Sequence, residues 1–149
     1  MYFLDFISET VTSVQEVEID MLRCHEEVVE ERLNSFIKYL QTLEGDILLS
    51  SIIVCDESNI IIDGHHRFHA LKYFGIKRIP VTYIKYNSPE IKAYQDDRLL
   101  KSEVIEIVNL GKLLPPKSSK HVIWDRRKKE YRPILLLSSM WHYNLNTLK

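Results

Sequence analysis

Cysteine is scarce in this chain. The two present, Cys24 and Cys55, show no CxxC or other metal-ligand spacing. That excludes a disulfide framework and a cysteine-built zinc site, and two reduced thiols in an intracellular protein are expected. No apolar run approaches the roughly 18 residues needed to span a bilayer. The first 14 residues include Asp5 and Glu9 but no Lys or Arg, which argues against a secretory signal or a mitochondrial presequence, so a cytoplasmic location is expected. Neither sign of charge dominates: 20 Lys and Arg against 21 Asp and Glu give a net charge of −1. There is no global positive field to drive nonspecific nucleic-acid binding, and no membrane partner is expected. Repeats and low-complexity tracts are absent as well.

What is present is an ordinary globular balance, with 45% hydrophobic and 28% charged residues in 149, enough for one domain with a real core. Alternation over residues 14–19 predicts a first strand near a sheet edge. Residues 21–27 read as a connector. Apolar residues at Val29, Leu33, Phe36, Ile37, Leu40 and Leu43 predict a helix over 28–43, stopped at Gly45. Residues 51–55 and 59–63 form an expected hairpin. A helix over 66–74 puts Ala70, Leu71 and Phe74 on one face, with Gly75 as its cap. A strand follows over 77–86, with Pro80 near its start. Residues 91–95 lean to strand, and 101–110 to a short helix capped by Ser102. The two prolines of 113–121 fix an extended loop. The charged run over 125–132 is expected to be a solvated excursion, and the apolar run over 134–137 must dock somewhere. The expectation is a single mixed α+β domain, helices packed on a small mixed sheet, with its core over about 14–123 and an unassigned tail over 124–149.

The most informative stretch is Asn59-Ile-Ile-Ile-Asp-Gly-His-His-Arg-Phe-His69. Ile60, Ile61 and Ile62 make a buried strand, and Asp63-Gly64 ends it with turn chemistry. Gly64, His65, His66 and Arg67 then fall where strand becomes helix. Free backbone N–H groups and the helix dipole favour an anion there. Gly64 permits close approach, and Arg67 adds a fork matched to phosphate or carboxylate oxygens. Asp63 either caps the turn or holds a hard cation such as Mg²⁺. A zinc site at His65 and His66 is disfavoured, because adjacent histidines seldom converge on one metal and no third ligand has the right spacing. His69 reads as a surface or partly buried helix residue. Glu26, Glu27, Glu30 and Glu31 read, on their own, as a solvated acidic run suited to a helix start. Lys117, Ser118, Ser119, Lys120 and His121 follow Pro115-Pro116 and offer hydroxyls, ammonium groups and an imidazole, suited either to an oxyanion or to a plain surface loop.

The strand, the Asp63-Gly64-His65-His66-Arg67 turn, the helix, and Gly75-Ile-Lys-Arg-Ile-Pro-Val81 together resemble the ParB/sulfiredoxin superfamily. Sulfiredoxins carry a catalytic Cys where this chain has His65, which sets sulfinic-acid reduction aside. Partition-type ParB proteins carry Gly-Glu-Arg-Arg before a DNA-binding helix-turn-helix, whereas this chain reads Gly-His-His-Arg and no such segment is expected after it. The free L-serine kinases of the superfamily are most similar. His25-Glu26-Glu27 resembles their His-Glu motif, and Pro116-Lys-Ser-Ser-Lys-His-Val122 their Pro-Lys-Thr-Thr-Arg-His-Val loop. The resemblance implies phosphoryl transfer from ADP or ATP to free L-serine. It implies Glu26 as the base, Asp63 as a second catalytic residue and candidate Mg²⁺ ligand, Gly64 to Arg67 as the nucleotide-phosphate cradle, and Lys117 to His121 as the substrate loop. Departures are Ser for both Thr, Lys120 for Arg, Arg32 where an archaeal kinase has a second acid, Asp96 near an aromatic position, and the lack of a long insertion before the last motif. The competing expectation is a nucleotide-binding regulator or DNA-associated ParB-like module without catalysis.

Overall fold

The computed structural model describes residues 7–144. It begins with a single helical turn, α1 (Ile7–Thr10), and runs into β1 (Val11–Glu18) and a 3-10 turn at Ile19–Met21. Then come α2 (Glu30–Thr42), β2 (Asp46–Ser50), β3 (Ile52–Cys55), β4 (Ile61–Asp63), α3 (His65–Tyr73), β5 (Arg78–Ile84), β6 (Ile91–Lys92), α4 (Lys101–Asn109), β7 (Val122–Asp125), β8 (Glu130–Pro133), a second 3-10 turn at Ile134–Leu137, and β9 (Met140–Asn144).

The central sheet has the order β1-β5-β3-β4. β5 is antiparallel to β1 and parallel to β3, and β3 pairs antiparallel with β4 in the expected hairpin. β1 is the expected edge strand, and Glu16 and Glu18 on it are exposed. Pro80 lies one residue before the parallel pairing with β3 begins at Val81, so the strand tolerates the missing donor on that side. β3 is buried throughout because both faces of the sheet are covered, which is why it reads as an unbroken apolar run. Ile52 and Val54 join Ile61, Phe68 and Leu71 beneath α3. Ile53 and Cys55 face the other way, into Ile62, Tyr86, Val104, Ile123 and Ile134 beneath α4 and the three-stranded β6-β7-β8 sheet. α2 packs on α3 through Ile37, Leu40 and Ala70. The apolar run over 134–137 docks as expected, with Ile134 and Leu137 buried.

Three local expectations need correction, and one element was not foreseen. The N-cap of α4 is Leu100, not Ser102: its backbone N–H donates to Glu103 Oε1 at 2.9 Å, so the acid three residues on does the capping. The charged run is a hairpin, β7 turning into β8, with a buried residue inside it. Asp125 is fully buried and accepts hydrogen bonds from the Arg127 and Lys128 amides at 3.0 and 3.2 Å. Residues 46–50 and 140–144 form a two-stranded ribbon, β2 with β9, that periodicity did not signal. Residues 23–27 are more than a connector. Ile61 N–H donates to Arg23 O at 2.7 Å, while Leu114 N–H donates to His25 O at 2.8 Å and Glu27 N–H to Leu114 O at 2.9 Å. This segment therefore splices β4 on one side to the proline loop on the other.

Candidate functional site

That splice builds the site. Because residues 23–27 are bonded to both β4 and Leu114, Glu26 is carried to the mouth of the turn that follows β4, and the proline loop closes over it. The resulting cleft, about 350 Å³, is lined by Glu26, Glu27, Ile62 to Arg67, Ser119 to His121, and Pro133 to Leu135. The three segments singled out in the sequence meet here, apart from two side chains. Lys117 and Ser118 do not line the cleft. Lys117 contributes its backbone N–H to Glu26 Oε1, and Ser118 turns its hydroxyl to Pro115 O.

Gly64 is the N-cap of α3, at φ +112°, and its carbonyl accepts the Phe68 amide at 2.9 Å. No side chain caps this end. The amides of His65, His66 and Arg67 have no preceding-turn carbonyl to bind, and these residues line the cleft, a setting that favours an anion. The backbone angle requires glycine, and a Cβ at position 64 would lie 2.8 Å from Arg67 Nη2 and displace the guanidinium. Arg67 Nη2 lies 3.3 Å from Asp63 Oδ2 and donates to Ser51 O at 3.3 Å, while its Nε is buried without a partner among the described residues. Arg67 thus lines the cleft with a guanidinium that its protein neighbours satisfy only in part. Asp63 holds this arginine rather than capping the helix.

Glu26 is held by the loop. Oε1 accepts the Lys117 amide, and Oε2 accepts the Ser119 amide at 3.2 Å and the Ser119 hydroxyl at 2.5 Å. It lies outside any helix and is therefore not part of a solvated helix start. Glu30 and Glu31 do form the first turn of α2 and are exposed. Arg32 follows them outside the cleft lining, and Asp96 is exposed and paired with Arg98.

His65, His66 and His121 line the cleft, His25 is buried against His65 and His121, and each ring has at least one nitrogen fixed by a neighbour. His25 Nδ1 lies 2.6 Å from Ile61 O, an acceptor, so Nδ1 carries the proton. His65 Nε2 accepts the His25 amide at 3.2 Å, and His66 Nε2 accepts the Val29 amide at 3.3 Å. His121 Nε2 lies 2.7 Å from the Tyr86 hydroxyl, whose own proton finds its partner there. Burial, and then the neighbouring His25, His69 and His66, push His65 down to about 2. Burial also pushes His25 below its ordinary range, against the pull of the Ile61 carbonyl, Glu26 and Asp63. It pushes His121 well below that range, aided by His25, His65 and Lys101. The cluster is neutral at physiological pH; His65, His66 and His121 are left with Nδ1–H donors that add no charge, while that of His25 is already bound to Ile61 O. His69, half-buried with its Nε2 3.8 Å from Cys24 Sγ, stands apart as expected.

No group of three or more His, Cys, Asp or Glu side chains that could hold a metal is present among the described residues. Asp63 is a single carboxylate on the cleft wall, the type of ligand that a hard cation takes one or two of alongside phosphates and water. Tyr86 and Pro133 to Leu135 are residues at or behind the site that sequence reasoning passed over, and His25, noted only as part of the His-Glu motif, was given no role of its own.

No family model matches the chain. A ParB-like protein of Sulfolobus acidocaldarius is 35% identical over 79 residues, 53% of this chain and 38% of that protein. The ADP-dependent L-serine kinase SerK of Thermococcus kodakarensis is 30% identical over 95 residues, 62% of this chain and 39% of the kinase. An ATP-dependent L-serine kinase of Desulfurococcus mucosus is 34% identical over 79 residues, 51% and 31% of the two chains. This chain thus spans under two fifths of the length of the curated relatives it matches. Among solved structures, a free serine kinase mutant in complex with AMP superposes with a TM-score of 0.63 at 16% identity, over 76% of this chain and 88% of that one. The chain thus has the ParB/sulfiredoxin-like α+β fold of the free serine kinases, as the turn from Asp63 to Arg67 led one to expect.

Proposed function

We propose that the chain is a phosphotransferase that moves the terminal phosphoryl group of ADP or ATP to the hydroxyl of free L-serine, giving O-phospho-L-serine. The observation that carries this reading is the convergence, in one cleft, of an uncapped helix N-terminus, an orphaned arginine N–H and a carboxylate on a hydroxyl. Phosphoryl transfer asks a protein mainly for placement and charge stabilisation. The amides of His65 to Arg67 bind the non-bridging oxygens, with Arg67 beside them. Asp63 would hold the Mg²⁺ carried by the nucleotide, which supplies charge neutralisation when bound. Glu26 accepts the proton of the attacking hydroxyl. Lys120 and the His121 N–H bind the acceptor's carboxylate, with the neutral imidazole donating as a dipole. Ser119 holds Glu26 in place, and Lys117 and Ser118 act through the backbone of the loop. The relatives named as L-serine kinases, one ADP-dependent and one ATP-dependent, support the reaction class and leave the donor to experiment. Full-chain protein given Mg²⁺, L-serine and either nucleotide is expected to form O-phosphoserine. Folded protein that forms none with both nucleotides refutes the reading.

A relative named as ParB-like supports a second reading, a nucleotide-dependent module that acts on DNA. Against it stands the net charge of −1, and Arg126 of the basic hairpin is paired with Glu9 and Glu90. Salt-sensitive, nucleotide-dependent binding to duplex DNA would favour this alternative.

A further inference from the structure

Ser119 occupies the position that the acceptor hydroxyl must reach. Its Oγ lies 2.5 Å from Glu26 Oε2 and 2.9 Å from His25 Nε2. His25 donates its Nδ1 proton to the Ile61 carbonyl, which leaves Nε2 of the neutral ring bare. One hydroxyl proton therefore faces two acceptors, a carboxylate and an imidazole, and the imidazole is itself oriented by a third group. That is the arrangement of an activated nucleophile. Ser119 lines the same cleft as the turn from Asp63 to Arg67, and the His25 ring that touches it lies 4.6 Å from the ring of His65, the first residue of α3. Ser118 is the internal contrast: its hydroxyl is spent on Pro115 O, and it does not line the cleft.

We propose that Ser119 is itself a phosphoryl acceptor, modified in cis by a nucleoside di- or triphosphate bound in the cleft when no free amino acid competes. This rests on the reading of the cleft as a phosphoryl-transfer centre. Ser119 Oγ forms a bond to the terminal phosphorus of the nucleotide. The bond from that phosphorus to the bridging oxygen breaks, and the electron pair leaves with the shortened nucleotide, AMP from ADP or ADP from ATP. The Oγ proton passes to Glu26. Nothing is oxidised or reduced, and no co-reactant beyond the nucleotide is needed.

The test is intact-mass and peptide-mapping analysis of the full chain after incubation with Mg²⁺ and ADP or ATP, without amino acid. One added phosphoryl group on Ser119 is expected. It should be lost in Ser119→Ala, kept in Ser118→Ala, and found as phosphothreonine in Ser119→Thr, which guards against a variant that fails to fold. L-Serine in the mixture should suppress it. An unmodified Ser119 in a preparation that makes O-phosphoserine overturns this proposal and leaves the kinase reading intact. Modified Ser119 with no O-phosphoserine supports it and contradicts free serine as the acceptor. Absence of both products overturns both.

Discussion

Tyr86 does not line the cleft, yet it decides what His121 offers there. Its hydroxyl lies on His121 Nε2 in a buried setting, so the imidazole proton sits on Nδ1. Tyr86→Phe frees the ring to take either tautomer and leaves a buried nitrogen unpaired, a loss of about 1–3 kcal/mol. The expected result is a rise of about tenfold in the acceptor's KM with nucleotide affinity unchanged, since one hydrogen bond to a carboxylate is at stake. Steady-state kinetics with each substrate varied checks it. Gly64→Ala acts elsewhere, through the φ of +112° and the contact with Arg67 Nη2. It should cost on the order of 1–3 kcal/mol, read as a lower urea midpoint, and weaken nucleotide binding as the guanidinium shifts. The contrast between these residues also marks what the sequence discloses. The turn from Asp63 to Arg67 was legible because strand, turn and helix are contiguous and each step has local chemistry. His25 meets Ser119 across 94 positions and Tyr86 meets His121 across 35, and no local pattern encodes such meetings.

At the scale of elements, α2 was readable from the periodicity of its buried face, β3 and β5 from short apolar runs buried on both sides, and α3 from the turn that starts it. The β2–β9 ribbon was not. It joins segments 98 residues apart, Asp46 opposite Asn144, and Leu48 and Met140 on it are exposed, so no apolar stripe announces it. The splice at residues 23–27 escaped for a similar reason, since its bonds run to β4 and Leu114 rather than to its neighbours. The proline loop depends on that splice. The Lys117 and Ser119 amides are both held by the Glu26 carboxylate, and Lys117 sits at φ +64°. Removing the carboxylate in Glu26→Ala should therefore speed hydrogen exchange of the Lys117 and Ser119 amides while those of α2 stay protected. Unchanged exchange in the loop would mean that Pro115 and Pro116 alone fix its shape.

For the whole molecule, the neutral histidine wall ties stability to pH. His65 is depressed to about 2 in the fold, against 6.5 for the ordinary side chain. Below about pH 6.5 the unfolded chain takes up a proton that the folded chain refuses, so stability is complete above that value and falls as pH drops towards about 2. His65 alone costs about 1.4 kcal/mol per pH unit in that window, and His25 and His121 act in the same direction. Urea unfolding should show a midpoint that falls steadily as the pH is lowered from about 7 to about 5. A flat profile would mean that the cluster admits protons. No helix among the described residues is long and apolar enough to cross a membrane. Glu26 as the base is measured most directly by O-phosphoserine formation in wild type and Glu26→Gln at saturating nucleotide and L-serine. Wild type is expected to give product and the variant to lose at least about 100-fold, with nucleotide affinity retained. Equal rates from the two proteins would remove Glu26 from the reaction.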